Sequence, residues 1–279
     1  TCILHEAAKQ RNAMARKPGS RSTVLVVGDS FVDVLAGPLP NLPTFGTNTV
    51  SPQPIAALPG GSALNVACNL QRLRGGTVLF TGLGRDAFGE IPRRHCDNIG
   101  VTLLEATCHD AAAPTGVCMV LSGSGVASGE AADRAFCSHY GISDTFDVSE
   151  LLLGSGKNGD NDYNARDGTI GDDDKGRDDA CVLSSPAWGV CHVHVAGFYS
   201  CAGVRRTLPA LLRRCAELGI TTSLDTNHDS TGAWGRMDGL WDEILPLIDV
   251  FLPNEAEAIA IAASLADLII KESINSSTV

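Results

Sequence analysis

Pro59-Gly60-Gly61-Ser62-Ala63-Leu64-Asn65-Val66-Ala67-Cys68-Asn69-Leu70 is the stretch around which the chain is organised. Two glycines stand directly before an amphipathic run. Glycine reaches dihedrals that a Cβ forbids and lets a ligand come close to the backbone. Ser62 is a suitable N-cap. Ala63, Leu64, Val66, Ala67, Leu70 and Leu73 form an apolar stripe at helical spacing, and Gly75-Gly76 closes it. The pattern predicts a helix anchored by that stripe. Its start, with free N–H groups and the positive end of the dipole, would face a polar ligand. Asn65 lies one turn inside. The plainer reading is a tight loop entering an ordinary helix.

Upstream, Thr23-Val24-Leu25-Val26-Val27-Gly28 is apolar on both faces, the pattern of a strand buried in a mostly parallel sheet. Asp29 and Asp33 follow at its carboxyl end, where open α/β sheets bind ligands; loop solvation and capping suit them equally. Residues 35–58 carry Pro, Gly, Thr and Asn between short apolar pieces and predict a small strand excursion. Downstream the patterns predict strands at 77–81, 101–105, 115–121, 190–197, 221–227 and 250–254. Helices are predicted up to 98 and at 205–218, 240–247 and 255–270. Alternation of this kind implies a parallel sheet with right-handed crossovers and helices on both faces.

Composition narrows the class. The 279 residues are 44% hydrophobic, enough for a real core, and the net charge of -11 argues against nucleic acid or an anionic membrane as partner. No apolar run approaches the ~20 residues of a membrane span. Residues 5–17 are polar and basic, unlike a signal peptide, and Met14 is a candidate start within a polar N-terminal extension over 1–22. The 10 cysteines are scattered without a C-x-x-C, which suits small core residues and a reducing, cytoplasmic setting. Residues 154–180 are dominated by Gly, Asp and Asn and predict a disordered acidic insertion. Asp172-Asp173-Asp174 lacks the spacing of an EF-hand.

Several constellations carry chemistry. Gly82-x-Gly84-x-x-Ala87 follows a strand, and Glu105 ends the next, close to a dinucleotide fingerprint. Charged Arg85, Asp86 and Glu90 at that loop argue against pyrophosphate. His192 and His194 share a strand face without a third ligand nearby, so a half-buried strand is preferred to a metal site. Asn254 ends a strand and Glu257 falls in the first turn of a helix. Such a pair is either a cap or a holder of hydrated Mg²⁺. Asp225 and Asn227 stand at another strand end, as caps or phosphate contacts.

Together these stretches resemble the ribokinase-like (PfkB) carbohydrate kinases, over roughly 24–261. The most specific piece is the Pro59–Ala67 stretch joined to Gly82-Leu83-Gly84-Arg85-Asp86-Ala87-Phe88-Gly89, which looks like the family's first signature. The resemblance implies a ribokinase-like α/β domain over 23–279. It would have a mostly parallel central sheet, helices on both faces and a small β lid from about 34–58 and 107–125. It implies ATP-dependent phosphorylation of a small sugar hydroxyl, with ATP and Mg²⁺ as cofactors and a homodimer through the lid. Asp33, Gly60, Gly61 and Asn65 match the sugar-binding positions. Asn254 and Glu257 match the N-x-x-E motif at the Mg²⁺–phosphate end, with Glu257 acting on the metal through water, and Asn227 falls on the nucleotide side. The family's catalytic base lies in a later G-A-G-D motif that these residues do not contain. Asp229 to Gly235 imitates it, but precedes Asn254 and has Trp234 where glycine is needed. The expectation is therefore a kinase domain whose catalytic segment is missing, with no base among these residues. A catalytically silent sugar-binding homologue and an adenosine-type nucleoside kinase are the other readings of the same fold; a dinucleotide-binding oxidoreductase is the weakest.

Overall fold

A computed structural model of the chain describes residues 22–107, 110, 112–123, 134–152, 181–235 and 239–276. The expected N-terminal extension, apart from Ser22, and the acidic insertion at 154–180 lie outside the described residues, as does part of the second lid segment.

The body is a six-stranded sheet of β1 (Thr23–Gly28), β4 (Thr77–Thr81), β5 (Thr102–Glu105), β8 (Val190–Ala196), β9 (Thr221–Leu224) and β10 (Val250–Phe251). Its order is β10-β9-β8-β1-β4-β5, and every pairing is parallel. Central β1 is buried along its whole length, as its two-faced apolar run predicts. Its side chains alternate between two cores. Val24 and Val26 pack with Ala63, Leu64 and Ala67 of helix α1 (Ser62–Arg74) and with Cys96 of α2 (Glu90–Ile99). Leu25 and Val27 pack on the other face with Leu208, Leu211 and Leu212 of a later helix (Ala202–Leu218). Helices thus cover both faces. A single helical turn, α3 (Ser149–Leu152), precedes that long helix, which becomes α4; α5 (Glu255–Ser276) ends the described chain.

A second, small mixed sheet stands where the lid is expected, though it begins at Phe31 and takes a further strand, Arg134–His139, from beyond the expected segments. It comprises β2 (Phe31–Leu39), β3 (Ala56–Gly60), β6 (Gly116–Gly123) and β7 (Arg134–His139), in the order β3-β2-β6-β7. β2 and β6 run parallel, and the other two pairs are antiparallel. Two residues separate β1 from β2, and β3 ends one residue before the Gly61 N-cap of α1. The two entrances to the lid therefore flank the carboxyl end of β1.

Several expectations needed correction. Ser62 is the first helical residue rather than the N-cap; Gly61 holds that position with φ 98°, and no side chain of the helix caps it. Leu73 is 82% exposed and leaves the apolar stripe. Residues 240–247 form a π turn followed by a 3₁₀ turn, because Pro246 offers no N–H to continue a helical ladder. β9 stops at Leu224, and β10 has only two residues.

Candidate functional site

The site is built at the carboxyl end of β1, between body and lid. Asp33 projects from β2, paired in register with Leu58 of β3 and Cys118 of β6. A Cβ at Gly60 would overlap the Asp33 carboxyl group, so Gly60 leaves the space that this carboxylate fills. Gly61 is held as tightly from behind: a Cβ there would lie 2.8 Å from the Asp29 carbonyl oxygen and 2.9 Å from the Phe31 nitrogen. Asn65 sits one turn further on; its N–H donates to the Gly61 carbonyl at 3.0 Å and its side chain is exposed. Asp33 and Gly60 therefore lie against each other, with Gly61 next in the chain and Asn65 one helical turn further on. Burial pushes the Asp33 carboxyl above the usual carboxylate range, and the nearby Asp29 charge pushes it further.

The start of α1 is not open to a ligand in the way the sequence suggests. The Ala63 N–H donates to Asp29 Oδ1 at 3.0 Å, and the Leu64 N–H donates to the Asp29 carbonyl at 3.3 Å. Asp29 is 2% exposed and also accepts from Ser200 Oγ at 2.9 Å. Burial raises its pKa, against the hydrogen bonds that favour the charged form. Sequence reasoning missed Ser200, which follows β8 and is 171 residues from Asp29.

Asn227 is drawn to the same place. With its amide oriented to satisfy its neighbours, it donates to both Asp225 carboxylate oxygens at 3.2 Å and accepts from Ser62 Oγ at 2.9 Å. Its φ of 57° is a left-handed backbone that non-glycine residues seldom adopt. A residue assigned to the nucleotide side thus touches the first residue of the sugar helix. Asn254 and Glu257 form a reciprocal capping box. Glu257 N–H donates to Asn254 Oδ1 at 2.9 Å, Asn254 N–H to Glu257 Oε2 at 3.1 Å, and Asn254 Nδ2 to Glu257 Oε1 at 2.6 Å. Glu257 is 6% exposed. Each carboxylate oxygen keeps a second lone pair, so this donor set fits a hydrated Mg²⁺ reached through water. Among the described residues no group of three or more His, Cys, Asp or Glu forms a direct metal cage.

The rival motifs close on themselves. Asp86 accepts from the Gly89 N–H, the Thr115 N–H and Thr115 Oγ1, all at 2.8 Å, stitching the glycine loop to the start of β6. Glu105, where a dinucleotide site needs its ribose acceptor, is held at both oxygens by Arg93, at 2.8 and 2.6 Å. Arg93 also donates to the Gly84 carbonyl at 3.1 Å. The Asp229 carboxylate, where G-A-G-D is imitated, accepts from the Thr231 N–H, Thr231 Oγ1 and the Trp234 N–H at 2.7–2.9 Å. Burial raises its pKa, but these bonds outweigh burial and hold it below the usual range. His192 bonds to Thr221 and Ser223 at 2.8 and 2.7 Å, and His194 bonds to the same Ser223 at 2.7 Å. These bonds tie the pair into the sheet through three of its four ring nitrogens; His194 Nε2 is buried without a hydrogen-bond partner. A cleft of about 470 Å³ lined by Gln71, Arg74, Thr77 and Trp188 opens at the amino ends of the strands, and none of the assigned site residues line it.

Residues 22–134 match the family model described as pfkB family carbohydrate kinase. No curated protein matches. Among solved structures, a ribokinase from Cryptococcus neoformans var. grubii in complex with ADP shares 16% identity at a TM-score of 0.59, covering 89% of this chain and 61% of its own. A fructokinase from Xylella fastidiosa shares 18% identity at 0.57, covering 90% and 66%. An Arabidopsis thaliana ribokinase complexed with ribose and ATP shares 17% at 0.54, covering 88% and 67%. The chain thus spans about two thirds or less of the length of these proteins. It resembles the pfkB kinases in sequence over 22–134 and has the ribokinase-like fold across most of its length. Among the described residues no helix is long and apolar enough to cross a membrane.

Proposed function

We propose that this chain is the sugar-binding part of a pfkB-type carbohydrate kinase, which transfers a phosphoryl group from ATP to a hydroxyl of a small sugar. One observation carries the reading: the Asp33 carboxylate on β2 occupies the space left by Gly60, directly before the helix start that bears Gly61 and Asn65. A carboxylate accepts hydrogen bonds from sugar hydroxyls, and the Asn65 amide both donates and accepts. Binding between lid and body excludes water, which limits wasteful hydrolysis. Asn227, Asn254 and Glu257 stand beyond the carboxyl ends of β9 and β10, the edge at which a nucleotide would lie. Mg-ATP, when bound there, supplies the transferable phosphoryl group and neutralises its charge.

These residues contain no G-A-G-D motif, so binding is the first readout. Titration calorimetry with D-ribose, D-fructose and adenosine is expected to find one ligand whose affinity falls at least about tenfold in Asp33→Ala and in Asn65→Ala, the loss of one or two hydrogen bonds to a charged or amide group. Unchanged affinity in Asp33→Ala would overturn the site, and tight binding of adenosine alone would move the substrate class to nucleosides.

A further inference from the structure

We propose that Asp29 is a positioning residue of this site: its buried carboxylate caps α1 from behind and fixes Gly61 and Asn65 against the ends of β1 and β8. The inference rests on the sugar-site reading above.

A helix start is ordinarily capped by a short polar side chain at the N-cap itself. Here that position is Gly61, which has no side chain and no space for one. The cap comes instead from Asp29, 34 residues earlier, which accepts the Ala63 N–H at 3.0 Å and, through its carbonyl, the Leu64 N–H at 3.3 Å. Ser200 Oγ holds the second carboxylate oxygen at 2.9 Å. Gly197 completes the enclosure, because a Cβ there would lie 2.5 Å from Asp29 Cγ.

Burying a carboxylate against N–H and hydroxyl groups costs stability that a local Ser or Asn cap would not. What the arrangement gains is a helix start whose first donors are satisfied from the inner side, while Asn65 on the same helix stays exposed. It also places a second carboxylate four residues from Asp33. The Asp29 charge acts on Asp33 and on the Cys201 thiol, and Asp33 acts on the Cys118 thiol; Asp144 and Arg205 also act on Cys201, and Cys137 on Cys118.

The test compares Asp29→Asn, Asp29→Ala and Ser200→Ala with the wild-type chain, by amide hydrogen exchange and by sugar titration against pH. Asp29→Ala is expected to speed exchange at Ala63 and Leu64 about tenfold, leave Ala67 to Leu70 unchanged, and weaken sugar binding about tenfold per folded molecule. Asp29→Asn, which keeps the shape, is expected to recover most of that affinity at neutral pH. It should also move the acid limb of binding to lower pH, since Asp33 is freed from a neighbouring charge. A merely structural cap would lower stability without moving that limb. Unchanged exchange at Ala63, or an unshifted acid limb in Asp29→Asn, overturns the proposal. If the wild type binds no sugar, the functional reading fails, and the exchange contrast still decides the positioning. If Asp29→Ala does not fold, Ser200→Ala exchange and the Asp29→Asn limb decide it.

Discussion

Gly60 and Gly61 do different work, although they are neighbours. Gly61 is needed for its own backbone: at φ 98° a side chain is strained, and its Cβ would press on the Asp29 and Phe31 main chain. Gly60 is needed for another residue, because a methyl group there meets the Asp33 carboxyl. The two alanine variants should therefore fail differently. Gly61→Ala is expected to lower the unfolding free energy by about 1–3 kcal/mol, read from the urea midpoint. Gly60→Ala should cost less stability, since a side chain can turn away where a backbone cannot, but should weaken sugar binding as severely as Asp33→Ala. Equal losses of stability in both would contradict the division. The sequence marks both glycines as special without separating these roles, because Asp33 reaches Gly60 only through the register of β2 and β3.

Caps and strand ladders at the scale of elements divide between what sequence can and cannot reveal. The Asn254–Glu257 box is local, three residues apart, and was readable as a cap from spacing alone. Asn254→Ala is expected to cost about 1 kcal/mol and to fray the first turn of α5, seen as faster amide exchange at Glu257. The cap of α1 was not readable, because its acceptor lies 34 residues away and Ser62 offered a nearer candidate. Likewise the alternation of His192 and His194 predicts a half-buried strand, while their partners Thr221 and Ser223 come from a separate strand. That ladder has a pH signature. Burial, with the neighbouring His192, pushes His194 down to about 4 from 6.5, so the folded state holds it neutral while the unfolded chain protonates it. Its contribution to stability is complete above about pH 6.5 and is lost as pH falls towards 4, on the order of 3 kcal/mol. His194→Gln should flatten this limb in urea midpoints taken between pH 7 and 4. A limb as steep as the wild type's would assign the loss to other groups.

The whole molecule is two sheets with different design rules. The body is parallel, buried between two cores, and legible from continuous apolar runs; Leu25, Val26 and Val27 are all 0% exposed. The lid is mixed and thinly covered, with Met119 48% and Phe136 60% exposed, so its strands are marked only by short pieces between turns. Its β2–β6 pairing joins residues more than 80 positions apart, beyond the reach of local pattern. A sugar held by Asp33 and Asn65 would bridge the two sheets, since Asp33 belongs to the lid and Asn65 to a helix packed on the body. Ligand binding should therefore stabilise the lid more than the body. At 100 times Kd the folded state gains about 2.7 kcal/mol. Hydrogen exchange is expected to slow at β2, β3 and β6, while β1 and β4, buried along their whole length, change little beyond that global gain. Protection confined to the body strands, with the lid unchanged, would place the ligand away from Asp33 and refute the bridge.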